Sequence, residues 1–406
     1  MKILYVNTYF NGGGAEKVMR QLYYGIRSDE FETYCIVGRL QKNIPEDVEI
    51  VYKDFLGRCV TTFLGGCLNN TLIMTKRARK AIIECIKKNK IDIVHFHNLH
   101  SNYIGISDLE EIRKYCKNIV ITLHDMWLLT GGCAHSFECS KWMKESNCNG
   151  CKGNVSMSKG KVYASRLHQS KAKHFLNEGF CFVTPSKWLY RCCLQSYLYK
   201  EDIQIIYNGI SLKNFSDHNK SIIREKYNLP IDKKIILFVS NEISNVYKGF
   251  SYLTEALMQL THKDKYVLLV VGNKTDKEIK LPYEIFDMGY VCDEVVMSEL
   301  YSAADLFVLP SVADTLPFTP MEAMASGTPV LAFETGGIPE VVSEEVGWLV
   351  PKGDSQALAD KIEDIFADDS GLREKTQECR SYVESNFAED IMFDNYKALY
   401  RELMKE

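Results

Sequence analysis

The sequence predicts an α/β protein in which parallel β-sheets carry helices on both faces. Its 406 residues, of which 46% are hydrophobic and 25% charged, are typical of globular chains and exclude the disordered and fibrous classes. At about 100–200 residues per domain, a chain of this length is expected to form two domains, each with its own core. Short apolar runs alternate with segments of helical periodicity along the whole chain, and this alternation predicts the fold class.

In the first half, short apolar runs predict the strands Ile3–Val6, Tyr34–Val37, Ile91–Phe96, Ile119–Leu123, Cys181–Thr184 and Ile203–Tyr207. Between them, Glu16–Ile26 and Arg77–Lys90 carry apolar residues at helical spacing. Because neighbouring parallel strands need a crossover connection, usually a helix, the pattern favours a parallel sheet.

The second half shows the same alternation of short apolar runs with segments of helical periodicity. Its apolar runs predict the strands Ile235–Val239, Tyr266–Val271, Leu306–Leu309 and Pro329–Phe333. The segments with helical periodicity are Phe250–Leu260, Glu294–Ala304 and Met321–Ala325. Two such units in tandem predict two Rossmann-like domains that face a central cleft.

The first domain is expected over residues 1–212 and the second over 213–385, with the join after the turn at Tyr207–Gly209. Residues 386–406 are predicted to form an amphipathic helix that packs back on the first domain. Because ligands of open α/β sheets bind at the carboxyl ends of the strands, the cleft between the domains is the expected site.

Positive charge is concentrated in the first half. Residues 1–215 hold 30 Lys and Arg against 19 Asp and Glu, a balance of +11, whereas residues 216–406 hold 19 against 34, a balance of −15. The basic half could meet phosphates, an anionic membrane surface or nucleic acid, or could be only a solvated face.

No apolar run approaches the ~18 residues of a membrane span, and the first strand turns polar too soon for a secretory signal. Fourteen cysteines without such a signal favour a reducing cytoplasm. A structural zinc site is predicted in an insertion at about residues 130–160, with the ligands Cys133, Cys139, Cys148 and Cys151. Free thiols are the alternative interpretation of these four cysteines.

A glycine-rich run follows the first predicted strand and opens a helix. Gly12, Gly13 and Gly14 allow the backbone to approach a ligand, and the amides of the helix favour an anion there. The run matches neither the dinucleotide-binding pattern nor a P-loop, so dinucleotide binding and nucleotide hydrolysis lose support. A tight turn without a ligand is the alternative.

A second motif, at residues 314–329, contains a predicted helix start. Thr319 suits the N-cap, Pro320 the first helical position and Glu322 the third, which together would form a capping box. This interpretation leaves Asp314 unexplained. Two carboxylates beside a helix N-terminus could bind sugar hydroxyls while the helix amides hold a phosphate.

The run Pro310–Val342 resembles the donor-binding segment of family 4 glycosyltransferases, which have the two-Rossmann-domain GT-B fold. Asp314 stands where that family usually has the first of two glutamates, and Glu322 stands at the second. The residues after Asp314 read Thr-Leu-Pro, as in a subgroup related to colanic-acid and capsular-polysaccharide transferases. The similarity extends from the glycine loop to about residue 385.

The resemblance implies a role for each matching residue. Glu322 would bind the ribose of the donor, Asp314 the hydroxyls of its sugar, and Lys248 its diphosphate. Relatives usually have an arginine at the end of the preceding strand that assists this lysine, and this sequence has Ser240-Asn241-Glu242 instead, with Asn241 as a donor-binding residue. Further donor contacts are implied for Gly272, Tyr290, Val291, Leu316, Pro317, Phe318 and Thr319.

Histidines end two strands of the first half. By the same resemblance His124 would contact the transferred sugar near the reaction centre, although a hydrogen-bonded core histidine is the alternative. His97 and Asn98 are expected to line the acceptor side together with the glycine loop, and metal ligation by His95 and His97 is the less favoured interpretation.

The resemblance therefore implies a retaining glycosyltransferase that moves a sugar from a UDP- or GDP-sugar to a glycan acceptor, expected to be lipid-linked. The expected pathway is capsule, exopolysaccharide or O-antigen biosynthesis at the inner face of the membrane. No cofactor is expected for catalysis and no nucleic acid as partner. The alternatives are a sugar-nucleotide epimerase or hydrolase of the same fold and a zinc-containing RNA-binding protein.

Overall fold

The structure is a computed structural model that describes residues 1–53, 76–101, 103–143, 147–150, 161–176, 179–273 and 281–405. The chain divides into two compact units. The first comprises Met1–Tyr207 together with Met392–Glu406, and the second comprises Asn208–Ile391.

Within the described residues, the first unit contains a seven-stranded, wholly parallel sheet with the order β3-β2-β1-β4-β5-β6-β7. Its strands are β1 (Lys2–Asn7), β2 (Glu32–Arg39), β3 (Val48–Tyr52), β4 (Ile93–Phe96), β5 (Asn118–Thr122), β6 (Cys181–Thr184) and β7 (Asp202–Ile205). Its helices are α1 (Gly14–Gly25), α2 (Lys76–Asn89), α3 (Ile106–Arg113), α4 (Lys161–Phe175) and α5 (Lys187–Gln195).

The second unit has, in its described part, a six-stranded parallel sheet with the order β10-β9-β8-β11-β12-β13. Its strands are β8 (Lys234–Glu242), β9 (Tyr266–Asn273), β10 (Glu284–Asp287), β11 (Leu306–Leu309), β12 (Val330–Glu334) and β13 (Gly347–Pro351). Its helices are α6 (Lys220–Lys226), α7 (Phe250–Gln259), α8 (Glu294–Ala303), α9 (Phe318–Ala325), α10 (Ile338–Val341), α11 (Ser355–Ala367) and α12 (Asp369–Asn386).

The central strands of both sheets are buried on both faces. All four residues of β4 and all four of β11 are buried, as expected for parallel strands covered by helices on each side. The prediction of two Rossmann-like parallel α/β domains is confirmed. Three strands, β3, β10 and β13, were not predicted, and each lies at a sheet edge.

The last helix, α13 (Glu389–Leu403), returns to the first unit. The Tyr400 hydroxyl lies 3.1 Å from the Tyr5 hydroxyl of β1, and the Tyr396 hydroxyl lies 3.0 Å from Oγ1 of Thr122 on β5. These contacts fix the helix beneath the first sheet. None of the described helices has the length and the apolar character needed to span a bilayer.

Candidate functional site

An ion pair lies at the carboxyl ends of β8 and β11 in the second unit. Lys248 Nζ donates to Asp314 Oδ2 at 2.8 Å, and the two side chains are 28% and 16% exposed. The structure thus brings together two residues that are 66 positions apart in the sequence. Partial burial strengthens their attraction while the lysine stays within reach of a ligand.

The backbone around this pair leaves no room for larger residues. Gly249 has φ +70°, and a Cβ there would lie 1.8 Å from the carbonyl oxygen of Pro310. Gly336 has φ +58°, and its Cβ would lie 1.8 Å from the carbonyl oxygen of Asp314. Because both positions combine left-handed φ with a backbone approach, only glycine fits. The two glycines therefore fix where Lys248 and Asp314 lie.

Helix α9 begins at Phe318, with Pro317 as its N-cap and without a hydrogen bond from a capping side chain. The predicted capping box is therefore wrong, because Thr319 and Pro320 already lie in the first turn and Glu322 lies beyond it. A proline side chain carries no acceptor for the first amides of the helix. The N-terminus of α9 therefore lacks a capping side chain, and its dipole favours an anionic group four residues after Asp314.

Glu322 lies on the second turn of α9 and accepts a hydrogen bond of 3.2 Å from the Tyr301 hydroxyl to its Oε2 atom. Tyr301 is buried, and this burial raises its pKa well above the usual value, so the hydroxyl stays a donor. At the other end of the helix, Arg380 Nη1 donates to the Ala325 carbonyl at 2.9 Å. The arginine complements the negative end of the helix dipole.

The remaining predicted donor residues lie on neighbouring loops and strand ends. Asn241 is exposed near the end of β8, where its carbonyl accepts a hydrogen bond of 2.8 Å from Asn273 Nδ2. The Gly272 amide, near the end of β9, donates to the Gly289 carbonyl at 2.8 Å. Tyr290 and Val291 are the next two residues along the chain, so this bond holds the start of their segment against β9. The Tyr290 side chain is 55% exposed. Leu316 and Pro317 are buried, whereas Phe318 and Thr319 are half-buried.

In the first unit, three histidines stack at the ends of β4 and β5. The ring centroids of His95 and His97 are 4.3 Å apart, and those of His97 and His124 are 5.1 Å apart. His97 Nδ1 and His124 Nε2 share a hydrogen bond of 2.9 Å. Burial lowers the pKa of His124 to about 3 and holds that of His97 well below its usual value, so both rings are neutral near pH 7.

A pocket of about 260 Å³, which includes its mouth open to solvent, lies beside this stack. His97, Asn98, His100, His124 and Asp125 are among its lining residues. His100 Nε2 lies 3.6 Å from Asp125 Oδ2. Neutral imidazoles, an amide and a carboxylate are groups that hydrogen-bond hydroxyls, so the lining of the pocket is polar in the way a hydroxylated ligand requires.

The glycine loop enters α1 through Gly13, which is the N-cap and makes no side-chain hydrogen bond. Gly12 has φ +154° and lies against the carboxylate of Glu16. That carboxylate accepts a hydrogen bond of 3.1 Å from Asn98 Nδ2, and both side chains are buried. The Glu16–Asn98 contact therefore joins the glycine loop to the end of β4, next to the histidine stack.

Comparison with known proteins assigns the family. The profile "Glycosyltransferase Family 4" matches residues 12–214, half of the chain, and the profile "Glycosyl transferases group 1" matches residues 233–368. The chain belongs to glycosyltransferase family 4. The family predicted from the sequence is thereby confirmed.

Relatives of this family 4 member include an uncharacterized glycosyltransferase from Methanocaldococcus jannaschii, 25% identical over 75% of this chain and 71% of its own. The capsular polysaccharide biosynthesis glycosyltransferase CapM from Staphylococcus aureus is 31% identical, over 49% of this chain and 54% of its own. The predicted likeness to capsular transferases is consistent with this relative.

Solved structures share the fold over nearly the whole chain. Sucrose-phosphate synthase from Thermosynechococcus elongatus has a TM-score of 0.77 at 19% identity, with all of both chains covered. HepE from Anabaena, solved in complex with UDP-glucose, has a TM-score of 0.70 at 16% identity and covers 99% of this chain and 100% of its own. These likenesses confirm the predicted GT-B fold.

The cysteine cluster of this family 4 member is described only in part, because Cys151 lies outside the described residues. Cys148 is buried and its Sγ accepts a hydrogen bond of 3.1 Å from the Gly131 amide, whereas Cys133 is half-buried and Cys139 exposed. Within the described ranges, no group of three or more His, Cys, Asp or Glu side chains could hold a metal ion. The zinc site stays a prediction.

Protein contacts hold the segment that leads into this insertion. Lys171 on α4 is fully buried, donates from Nζ to the carbonyls of Trp127 and Thr130, and lies 3.4 Å from the centre of the Trp127 ring. Tyr197 donates to the Leu128 carbonyl at 2.7 Å. The segment after His124 and Asp125 is thus anchored to the first unit.

Sequence reasoning missed four residues that shape the site: Glu16, Lys171, Tyr301 and Tyr400. Glu16 stands inside the glycine motif, and its place in the first turn of α1 could have suggested a contact with the loop. The other three carry no local signal, because each acts through a contact with a distant segment.

Proposed function

We propose that this protein transfers a sugar from a nucleotide-diphospho-sugar to a glycan acceptor with retention of configuration. The observation that carries this proposal is the Lys248–Asp314 ion pair, in which Asp314 stands four residues before Phe318, where α9 begins. A cation and the N-terminal amides of a helix suit a diphosphate, and a carboxylate suits the hydroxyls of the attached sugar.

The charges of the second unit fit the chemistry of the donor. When the bond between the sugar carbon and the phosphate oxygen breaks, negative charge grows on the leaving diphosphate. Lys248 and the amides of α9 would stabilise that charge, which is the usual source of catalysis in a site without a dedicated base. The proton of the acceptor hydroxyl goes to the leaving diphosphate as the new bond forms, so no protein base is required.

Glu322 would hold the ribose hydroxyls of the donor. Its hydrogen bond from Tyr301 occupies Oε2 and orients the carboxylate. HepE, of the same fold, was solved with UDP-glucose, and this supports a nucleotide-sugar as donor. Asn241, Gly272, Tyr290 and Val291 would contact the nucleobase side, and the backbone of Leu316–Thr319 the sugar and diphosphate.

The acceptor side is proposed for the first unit. His124 would contact the transferred sugar, while Asn98 and the Gly12–Gly14 loop would line the acceptor. The relative CapM acts in capsular polysaccharide biosynthesis, and this supports a glycan acceptor in capsule or exopolysaccharide assembly. A lipid-linked acceptor at the cytoplasmic face of the membrane fits the basic first half of the chain.

The test compares three variants by thermal shift with UDP- and GDP-sugars and by transfer to acceptor. Asp314→Ala and Glu322→Ala are expected to abolish the donor-induced rise in Tm and to lower kcat/KM about 10²–10³-fold. Glu299→Ala is the matched control, because Glu299 pairs with Lys226 at 2.6 Å and is 13% exposed, close to the exposure of Asp314. This control should keep the donor-induced shift.

Equal donor-induced shifts in all three variants would contradict the proposed donor site. Measuring donor consumption with and without acceptor separates transfer from the alternatives. Consumption that is independent of acceptor would indicate a hydrolase or an epimerase on the same fold.

A further inference from the structure

A buried chain of polar contacts runs from the last helix to His124. Tyr400 on α13 places its hydroxyl 2.7 Å from His95 Nδ1, and Thr122 places Oγ1 2.8 Å from His95 Nε2. Thr122 is in turn 3.0 Å from the Tyr396 hydroxyl. Both nitrogens of His95 are therefore occupied, and the ring cannot rotate without breaking a buried hydrogen bond.

His95 supports the next ring by stacking. His97 lies 4.3 Å from it, with 28° between the ring planes, and is only 3% exposed. His97 does not extend into open solvent. Its Nδ1 atom contacts His124 Nε2 instead, and the planes of these two rings are 15° apart.

This contact decides which nitrogen of His124 can meet a ligand. Since Nε2 of His124 is bound to His97 inside the protein, only Nδ1 can face the pocket that His124 lines. The two tautomers are coupled: when His97 donates, His124 carries its proton on Nδ1, and when His124 donates from Nε2, its Nδ1 is an acceptor.

We propose that His97 is a positioning residue, held by His95 and the tyrosines of α13, which orients His124 so that its Nδ1 atom contacts the substrate. The role of His124 at the substrate rests on the proposed function. The contact between the two histidines does not, and it can be measured without activity. Neutral rings suit this arrangement, because each can donate from one nitrogen and accept at the other; two donors would face each other in the shared hydrogen bond only if both rings carried a second proton.

Isosteric variants of His124 test which nitrogen matters. An asparagine amide lies where Nδ1 lies, and a glutamine amide reaches to where Nε2 lies. We expect His124→Gln to lower kcat about 10²-fold, as loss of a substrate hydrogen bond does, and His124→Asn to lower it only about tenfold. A glutamine variant as active as the asparagine variant would overturn the proposal.

The same logic applies to His97. Asparagine at position 97 keeps a polar group opposite His124, whereas leucine removes it. We expect His97→Leu to lower kcat with little change in the KM for the donor, and His97→Asn to restore most of the loss. A merely structural role would make both variants fail alike, with parallel losses in Tm.

Nitrogen NMR of histidine-labelled protein tests the contact independently of activity. A coupling across the hydrogen bond between His97 Nδ1 and His124 Nε2 is expected, and Tyr400→Phe should alter the resonances of both rings. The control is Tyr23→Phe, which loses a 2.6 Å hydrogen bond to Asp47, a residue outside the chain of contacts from Tyr400 to His124, and should leave them unchanged. If no coupling is found, the positioning role is wrong; if the coupling is present without any transfer, the proposed function is wrong.

Discussion

At the scale of single residues, Lys171 is a buried lysine among the described residues of the first unit. Its amine is fully buried, and this burial lowers its pKa to about 7 despite the opposing effect of Asp125. An unfolded lysine has a pKa near 10.4, so between these values the unfolded chain binds a proton that the folded chain does not. Folding is therefore opposed by protonation of Lys171.

We expect the protonation of Lys171 to affect how the free energy of unfolding changes with pH. The penalty is complete below about pH 7 and is relieved as the pH rises toward about 10, with a slope of at most about 1.4 kcal/mol per pH unit. The free energy of unfolding of the wild-type protein, minus that of Lys171→Met, should therefore increase with pH across this window. Denaturant unfolding at a series of pH values measures it.

Lys173→Met is the control for this series, because Lys173 lies on the same helix and is exposed. The difference in the free energy of unfolding between the wild-type protein and this control variant should not change with pH. A flat difference for Lys171→Met as well would mean that the amine titrates alike in the folded and unfolded chains.

At the scale of elements, the turn between β8 and α7 positions the cation of the proposed donor site. The Val312 amide donates to the Tyr247 carbonyl at 2.9 Å, and Gly249 fits against Pro310. Two loops that follow neighbouring strands are thereby joined. The backbone contacts between these two loops therefore determine where Lys248 lies.

Gly249→Ala is accordingly expected to weaken donor binding although it removes no functional group. Its methyl group would meet the Pro310 carbonyl, so the turn must move and displace Lys248. We expect a loss of about 1–3 kcal/mol in unfolding free energy and a weaker donor-induced rise in Tm.

Gly353→Ala is the control, because it introduces backbone strain without a collision between the new methyl group and a neighbouring carbonyl. Gly353 has φ +78°, but its Cβ would meet only ordinary contacts at 3.7 Å or more. This variant should lose stability from strain alone and keep the donor-induced shift. Equal shifts for the two alanine variants would argue against a positioning role for the turn.

Strands also show where sequence patterns are informative. The central strands β6 and β11 occupy the residues that their apolar runs predict, because strands buried on both faces are continuously apolar. The edge strand β10 reads Glu-Ile-Phe-Asp, and β13 begins with glycine and ends with proline. Because an edge strand is partly solvated, its pattern resembles that of a loop.

At the scale of the whole molecule, the formal net charge of residues 1–215 is +11, whereas that of residues 216–406 is −15. Helix α2 concentrates this charge, since it carries six basic residues and one glutamate in its 14 residues. Peripheral membrane association would combine this charge with the apolar residues Phe63, Leu64, Leu68 and Leu72, which lie outside the described residues. Each basic residue near an anionic surface adds about 1 kcal/mol of attraction.

We therefore expect the protein to float with anionic liposomes, to remain unbound with zwitterionic ones, and to dissociate as salt is raised. Lys87→Glu with Lys88→Glu on α2 should weaken binding at least tenfold, by the same estimate. The control is Lys263→Glu with Lys265→Glu, which makes the same change of charge in the second unit. Protein that stays in the soluble fraction with every liposome would exclude the membrane hypothesis.

The sequence by itself determined the two parallel α/β domains, the family and the motif that contains Asp314 and Glu322. The domains follow from the periodicity of the sequence, and the family follows from the resemblance of the run Pro310–Val342 to a known segment; both are properties of contiguous residues. Only the tertiary structure decided that α9 begins at Phe318, that Lys248 pairs with Asp314, that Lys171 is buried and that His97 binds His124. Each of the last three depends on segments that are distant in sequence and adjacent only after folding, and no local pattern records such contacts.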